Sequence, residues 1–348
     1  MFKIWVIMAL FSAVFCSVLS CSKVHVNEEE DKTSSSSIFI PYQTQDTVLF
    51  FTSKDGYEIP VVVTFPNCNT SGLPGVVVTH GSGGNWTDSD SNGDGIADKF
   101  IKWQLSSQNK EWVGIFKENC IVGAFPDSYS PRGTLENEGD WKNPPLQFKI
   151  SPCFVRNYDT YQTLELLRNL VRPDGVSILR KSDIGLLGFS HGGSTAEASI
   201  FDFDAVPAGW EWKQTFDGIT YKQEVKPPAS KPASGGFATA VIYYPGSQFN
   251  SFFGNPCKSS GSNGSSIYKS YCDFLVHLPE LDPLTDGSLC MINTVNSNGG
   301  GKVTSYMYSS AKHSFDGQKS GVDADASLLA RERTLSWFKL YLHITEKL

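Results

Sequence analysis

The chain has no excess of basic charge. Its 29 Lys and Arg stand against 36 Asp and Glu, a formal net charge of −7. No basic stripe and no aromatic–basic alternation occurs, which argues against a nucleic-acid partner. No CxxC pair and no Cys/His spacing of a zinc site is present, so a structural zinc is excluded. No repeat of any period is evident, which excludes solenoids and propellers. The longest apolar run, residues 4–18, falls short of the roughly 20 residues that span a bilayer. What the chain does have is apolar mass. With 348 residues, 40% hydrophobic and 13% aromatic, it can fill one large α/β core or two smaller ones, and disorder is excluded for the bulk.

The amino terminus reads as an export signal over residues 1–20. Lys3 supplies the positive start and residues 4–18 the apolar stretch. It ends in Val18-Leu19-Ser20-Cys21, which resembles the lipobox of bacterial lipoproteins. That resemblance implies lipidation of Cys21, anchorage to the cell envelope, and, with Ser22 following, an outer-membrane destination in a cell that has one. Residues 21–40 read as a flexible tether, polar and without periodicity, carrying Glu28-Glu29-Glu30-Asp31 and Ser34 to Ser37. Apart from Cys16 in the signal and Cys21, six cysteines remain, an even number that allows up to three disulfides in an exported chain. Cys257 and Cys272, flanking a Ser/Gly-rich excursion, form the most plausible local pair.

Residues 41–348 read as one domain of alternating strands and helices. Residues 48–52 and 59–64 flank Lys54-Asp55-Gly56, a hairpin signal. Residues 75–79 and 120–125 are continuous apolar runs suited to strands buried on both faces. Residues 158–171 carry Tyr161, Leu164, Leu167 and Leu170 at helical spacing, and Pro173-Asp174-Gly175 stops them. Further strands are read at residues 182–187, 238–244, 274–278 and 303–308. A last helix spans residues 325–344, with Leu328, Leu335, Phe338 and Leu342 on one stripe. Such alternation implies a mostly parallel central sheet with helices on both faces, the architecture of the α/β-hydrolase fold. Residues 85–105 and 202–236 interrupt it, where a lid or a substrate-binding insertion would lie.

Chemistry concentrates at Gly188-Phe189-Ser190-His191-Gly192-Gly193. The segment lies between an apolar strand and a helix start, the setting of a nucleophile elbow. Glycines two before and two after the serine let the chain turn sharply and present the Ser190 hydroxyl. The base must follow in the chain, and the acid must lie between the two. Of six histidines, His313 alone occupies a loop after a late strand. The acid is assigned to Asp282, with Glu280 and Asp286 as rivals on the same turn. The oxyanion hole takes the His191 amide and a second N–H from His80-Gly81-Ser82-Gly83-Gly84, from Ser82 or Gly83. No Gly-Lys-Ser/Thr follows those glycines, so a phosphate cradle is discounted.

These motifs, with Asp127-Ser128-Tyr129-Ser130-Pro131-Arg132-Gly133 and Ala311-Lys312-His313-Ser314-Phe315-Asp316, occur in one order from about residue 45 to the end. In that order the chain resembles the dienelactone-hydrolase-related branch of α/β-hydrolases, whose founding enzymes use cysteine where this chain has Ser190. The resemblance implies a Ser190–Asp282–His313 triad acting on a small-molecule ester, thioester or lactone, with no catalytic cofactor. It also implies that Arg132 meets a substrate carboxylate, against the alternative of an arginine bracing its loop.

One acidic segment stands apart. Asp90, Asn92, Asp94 and Asp98, with the Ile96 carbonyl, reproduce positions 1, 3, 5, 9 and 7 of a calcium loop. Ile101 at position 12 cannot supply the bidentate carboxylate, so the reading is a structural Ca²⁺ and not an EF-hand. Two other functions fit the same residues: a peptidase or carbohydrate esterase on the same fold, and a non-catalytic calcium-binding surface lipoprotein.

Overall fold

Continuous apolar runs dictate where the strands lie. In the computed structural model, which describes residues 37–39, 45–68, 71–89, 99–134, 144–216, 218–246, 252–254, 266–298, 302–318 and 320–344, they assemble into one eight-stranded sheet. Its strands are β1 (Thr47–Thr52), β2 (Glu58–Thr64), β3 (Leu73–Thr79), β4 (Val122–Pro126), β5 (Leu179–Phe189), β6 (Ala240–Tyr243), β7 (Phe274–Pro279) and β8 (Val303–Tyr308). They lie in the order β1-β2-β4-β3-β5-β6-β7-β8. Only β2 runs against its neighbours, pairing antiparallel with β1 and β4, and the rest are parallel. This is the α/β-hydrolase fold. Every residue of β3, β4, β6 and β7 is buried, as central strands covered on both faces require.

The pleat sorts those runs into two cores. Val77, Ala124, Leu186, Ile242 and Val276 face one side; Val76, Val78, Phe125, Leu187 and Val241 face the other. The first side packs against α2 (Arg156–Arg168), α3 (His191–Ser199) and α4 (Thr285–Asn298), and the second against α1 (Ser107–Glu118) and α5 (Gly321–Tyr341). A disulfide joins Cys68 to Cys120, just before β4.

Several details differ from the sequence reading. The helix read at residues 158–171 begins and ends earlier, and Leu170–Val171 instead forms a short parallel pair with Ile38–Phe39. The chain therefore joins the fold two residues inside the segment read as tether. Phe338 in α5 and Leu342 just after it are buried, but Leu328 is 61% exposed, because the buried face of the helix runs through Ala326, Ala330, Thr334 and Phe338 and Leu328 lies off it. The proposed Cys257–Cys272 bond does not form: Cys272 is a free thiol, and Cys290 is disulfide-bonded. Cys21 and residues 1–20 lie outside the described residues, as do Asp90, Asn92, Asp94 and Asp98. No helix among the described residues is long and apolar enough to cross a membrane. The two excursions become antiparallel hairpins, Trp86–Ser89 with Lys99–Leu105 and Gln214–Phe216 with Ile219–Tyr221.

Candidate active site

β5 ends at Phe189 and α3 begins at His191, so Ser190 must absorb the whole reversal. It does so at φ 50° and ψ −113°, a conformation that costs a non-glycine residue energy and persists only where the surroundings fix it. Three bonds fix it. The Ser190 N–H donates to the Tyr243 carbonyl at 3.0 Å, and the Ser190 carbonyl accepts from the N–H groups of Ser194 at 3.0 Å and Gly246 at 3.3 Å. Glycine is demanded on both sides. A Cβ on Gly188 would lie 2.3 Å from the Gly192 carbonyl oxygen, and one on Gly192 2.0 Å from the Thr79 carbonyl oxygen. The Thr79 hydroxyl also donates to the Gly192 carbonyl at 2.8 Å, pinning α3 against the end of β3.

The loop after β8 carries His313 to this hydroxyl. Its Nε2 lies 2.9 Å from Ser190 Oγ, and its Nδ1 lies 2.5 Å from Asp282 Oδ2. Asp282 is buried, and its Oδ1 accepts the Leu284 N–H at 3.0 Å. The rivals stand elsewhere. Glu280 accepts the Ser310 N–H at 2.8 Å and so ties the acid turn to the histidine loop, while Asp286 sits in the first turn of α4. A second bond between those loops runs from the Leu281 N–H to the Ala311 carbonyl at 2.9 Å.

His313 has a wall that the sequence reading did not contain. The Tyr244 ring lies 4.7 Å from its ring, centroid to centroid, and Tyr244 takes a positive φ of 35° at the end of β6. The Tyr244 hydroxyl donates to Asp316, and Gln108 donates to Asp316 Oδ2 at 2.6 Å. Burial pushes the carboxyl of Asp316 up and the phenol of Tyr244 well up from their ordinary values.

Behind the elbow lies a buried polar cluster. The Gly81–Gly84 turn closes through the Gly84 N–H to the Gly81 carbonyl at 3.2 Å, which commits Gly84 and leaves Ser82 and Gly83 as the turn's candidate donors. A Cβ on Gly81 would lie 3.5 Å from the Ser190 Cβ, so this turn packs directly on the serine. Arg156, at the start of α2, spans both halves of the expected oxyanion hole. It donates to the His80 carbonyl at 2.7 Å and to His191 Nδ1 at 2.5 Å, and its guanidinium lies 4.9 Å from the centre of the Tyr129 ring. Burial, reinforced by the nearby Arg156 charge, holds both His80 and His191 well below the usual imidazole range, so they are neutral. Sequence reasoning did not single out Arg156; the one signal was an arginine directly after the apolar Cys153-Phe154-Val155.

Arg132 does not meet the cleft. Its buried guanidinium is taken up by Asp55 at 2.7 Å, Asp159 at 2.7 Å, the Ser53 hydroxyl at 2.9 Å and the Ser128 carbonyl at 2.8 Å. Those bonds use its fork completely, so it braces the β1–β2 turn, the Ser128 turn and α2 and has no donor to offer a substrate carboxylate. Among the described residues, no group of three or more His, Cys, Asp or Glu is placed to hold a metal.

Ser190, His313, Ser82 and Gly83 open together into a cavity of about 800 Å³. The excursion expected between residues 202 and 236 supplies Gln214, Thr215 and Phe216 to its wall, and Tyr244 and Leu284 add apolar surface. Chemically, the arrangement can deprotonate one hydroxyl beside a turn of N–H donors. The fold recurs in solved structures of Thermogutta terrifontis esterase 2. The form phosphonylated by sarin aligns at a TM-score of 0.55 with 11% identity, over 87% of this chain and 97% of that one. The form phosphoramylated by tabun aligns at 0.54 with 12% identity over the same shares, and the butyrate-bound form at 0.53 with 11% identity, over 87% and 96%. No family model and no curated protein matches the chain.

Proposed function

We propose that the protein is a carboxylic ester hydrolase that works through an acyl-enzyme on Ser190. The observation that carries the reading is His313, bonded at once to Ser190 Oγ at 2.9 Å and to Asp282 at 2.5 Å. Ser190 Oγ attacks the ester carbonyl, and its proton passes to His313 Nε2. Asp282 holds Nδ1–H and so fixes the tautomer that accepts the proton. The oxygen that gains charge is held by the His191 amide and by Ser82 or Gly83. Collapse expels the alcohol, which takes the proton from His313; a water deprotonated by the same imidazole then releases the acid. An esterase of the same fold that is phosphonylated by sarin supports the serine chemistry. The resemblance to dienelactone-hydrolase-related enzymes belongs to this proposal as well. So do export with a lipid anchor on Cys21, which the Cys68–Cys120 disulfide supports through its need for an oxidising compartment, and calcium at Asp90, Asn92, Asp94 and Asp98.

The test is covalent labelling with a fluorophosphonate together with turnover of a short aryl ester. Ser190→Ala abolishes both, and Asp282→Asn lowers kcat by about 10⁴, the size found when a triad carboxylate is neutralised. Glu280→Gln and Asp286→Asn retain activity within about tenfold. Labelling that persists in Ser190→Ala overturns the proposal.

A further inference from the structure

No described residue lining the cavity is Asp, Glu, Lys or Arg; apart from His313 its polar wall is made of hydroxyls and amides, among them Ser106, Gln108, Gln214, Thr215 and Gln318. Three arginines near the site are already occupied. Arg132 is held by Asp55 and Asp159, and Arg156 is buried behind His80 and His191. Arg331 is bonded to Glu111 and to the Asp316 carbonyl. Carboxylates, in contrast, stand just behind the wall: Asp282 beyond His313, and Asp316 beyond Tyr244 and Gln108. An anionic group entering here loses its hydration, meets no lysine or arginine among the described lining residues and approaches the acidic side chain of Asp282. An uncharged group with donors and acceptors loses less, because the hydroxyls and amides of the wall can exchange hydrogen bonds with it in place of water.

Resting on the esterase reading above, we propose that the cleft is selective for uncharged esters whose acyl or alcohol part carries hydroxyl or amide groups, and that it rejects esters bearing a carboxylate. Selectivity arises from the lack of a cation among the described lining residues and not from size, since a cavity of about 800 Å³ admits either.

A matched pair of substrates separates charge from shape: para-acetoxybenzamide and para-acetoxybenzoate, alike in outline and in the bond cleaved. The full-length protein is expected to hydrolyse the amide-bearing ester with a kcat/KM at least about tenfold higher, the effect of one charge left without a partner in a site. Gln318→Lys, which sets an ammonium on the exposed rim of the cavity, is expected to narrow that ratio by raising turnover of the carboxylate ester. Equal turnover of the two esters, abolished alike by Ser190→Ala, overturns the selectivity and leaves the esterase reading standing. Turnover that survives Ser190→Ala, or a folded protein that hydrolyses neither ester, overturns the esterase reading itself.

Discussion

Arg156 is the side chain on which the rear of the site depends. It is almost fully buried, and one planar fork reaches both the His80 carbonyl and His191 Nδ1, the two segments that the proposed mechanism asks to present N–H donors to one oxygen. A lysine keeps the charge but offers a compact ammonium that cannot hold both contacts in one plane. Arg156→Lys is therefore expected to fold, to leave KM within about threefold, and to lower kcat by about 10²-fold, the scale of loss when a reacting geometry slips by about an ångström. A variant with normal thermal stability and unchanged kcat would show Arg156 to be packing alone. The sequence allowed the hydrogen-bonded set of Ser190, His313 and Asp282 to be read, because each sits after a predictable strand in the expected order. Arg156 and Tyr244 were not legible: their roles come from contacts across α2, β6 and the loops after β3 and β8, which no local pattern encodes.

At the scale of elements, the elbow depends on how closely α3 approaches β3. On Gly192 a Cβ would sit 2.0 Å from the Thr79 carbonyl and 2.5 Å from that of His80, both backbone atoms of a central strand end that cannot retreat. Gly114, by comparison, lies within α1 with nothing within 4 Å of an added Cβ. Gly192→Ala is expected to destabilise by more than about 3 kcal/mol, as overpacking against immovable atoms does. Gly114→Ala should stabilise by roughly 0.5–1 kcal/mol through helix propensity. Urea titrations of the two variants check both signs, and equal effects would show that the elbow relaxes. The strands were readable because burial on both faces leaves unbroken apolar runs. α1 and α4 escaped for the opposite reason. α4, with its Thr, Asn, Ser and Gly, has weak propensity, and in α1 Trp112 and Phe116 are the only apolar residues fully buried. Leu328, on the stripe read as core, faces outward because the helix buries the face through the small residues Ala326, Ala330 and Thr334, about a third of a turn away.

Taken over the whole molecule, burial has left the core with bases that do not accept protons. His277 on β7 is wholly buried between the Tyr308 hydroxyl at 2.7 Å and the Thr334 hydroxyl at 2.9 Å, and burial, aided by the Arg333 charge, lowers its pKa to about 3. His80 and His191 are depressed in the same direction. Unfolding returns each imidazole to a pKa near 6.5, so below about pH 6.5 the unfolded chain binds more protons and stability falls as the pH falls, for His277 down to about pH 3. The carboxyls of Glu197 and Asp316, raised by burial, act with the opposite sign: folding favours their protonated forms, and that contribution fades as the pH rises. One substitution separates the opposing effects. Over the interval from pH 7 to pH 5, His277 alone should cost about 2 kcal/mol, so His277→Gln, which cannot ionise, should lose about that much less than the parent in urea titrations at the two values. Identical losses in the two proteins would mean that His277 gains its proton without unfolding, and that the core around β7 is wetter than its packing implies.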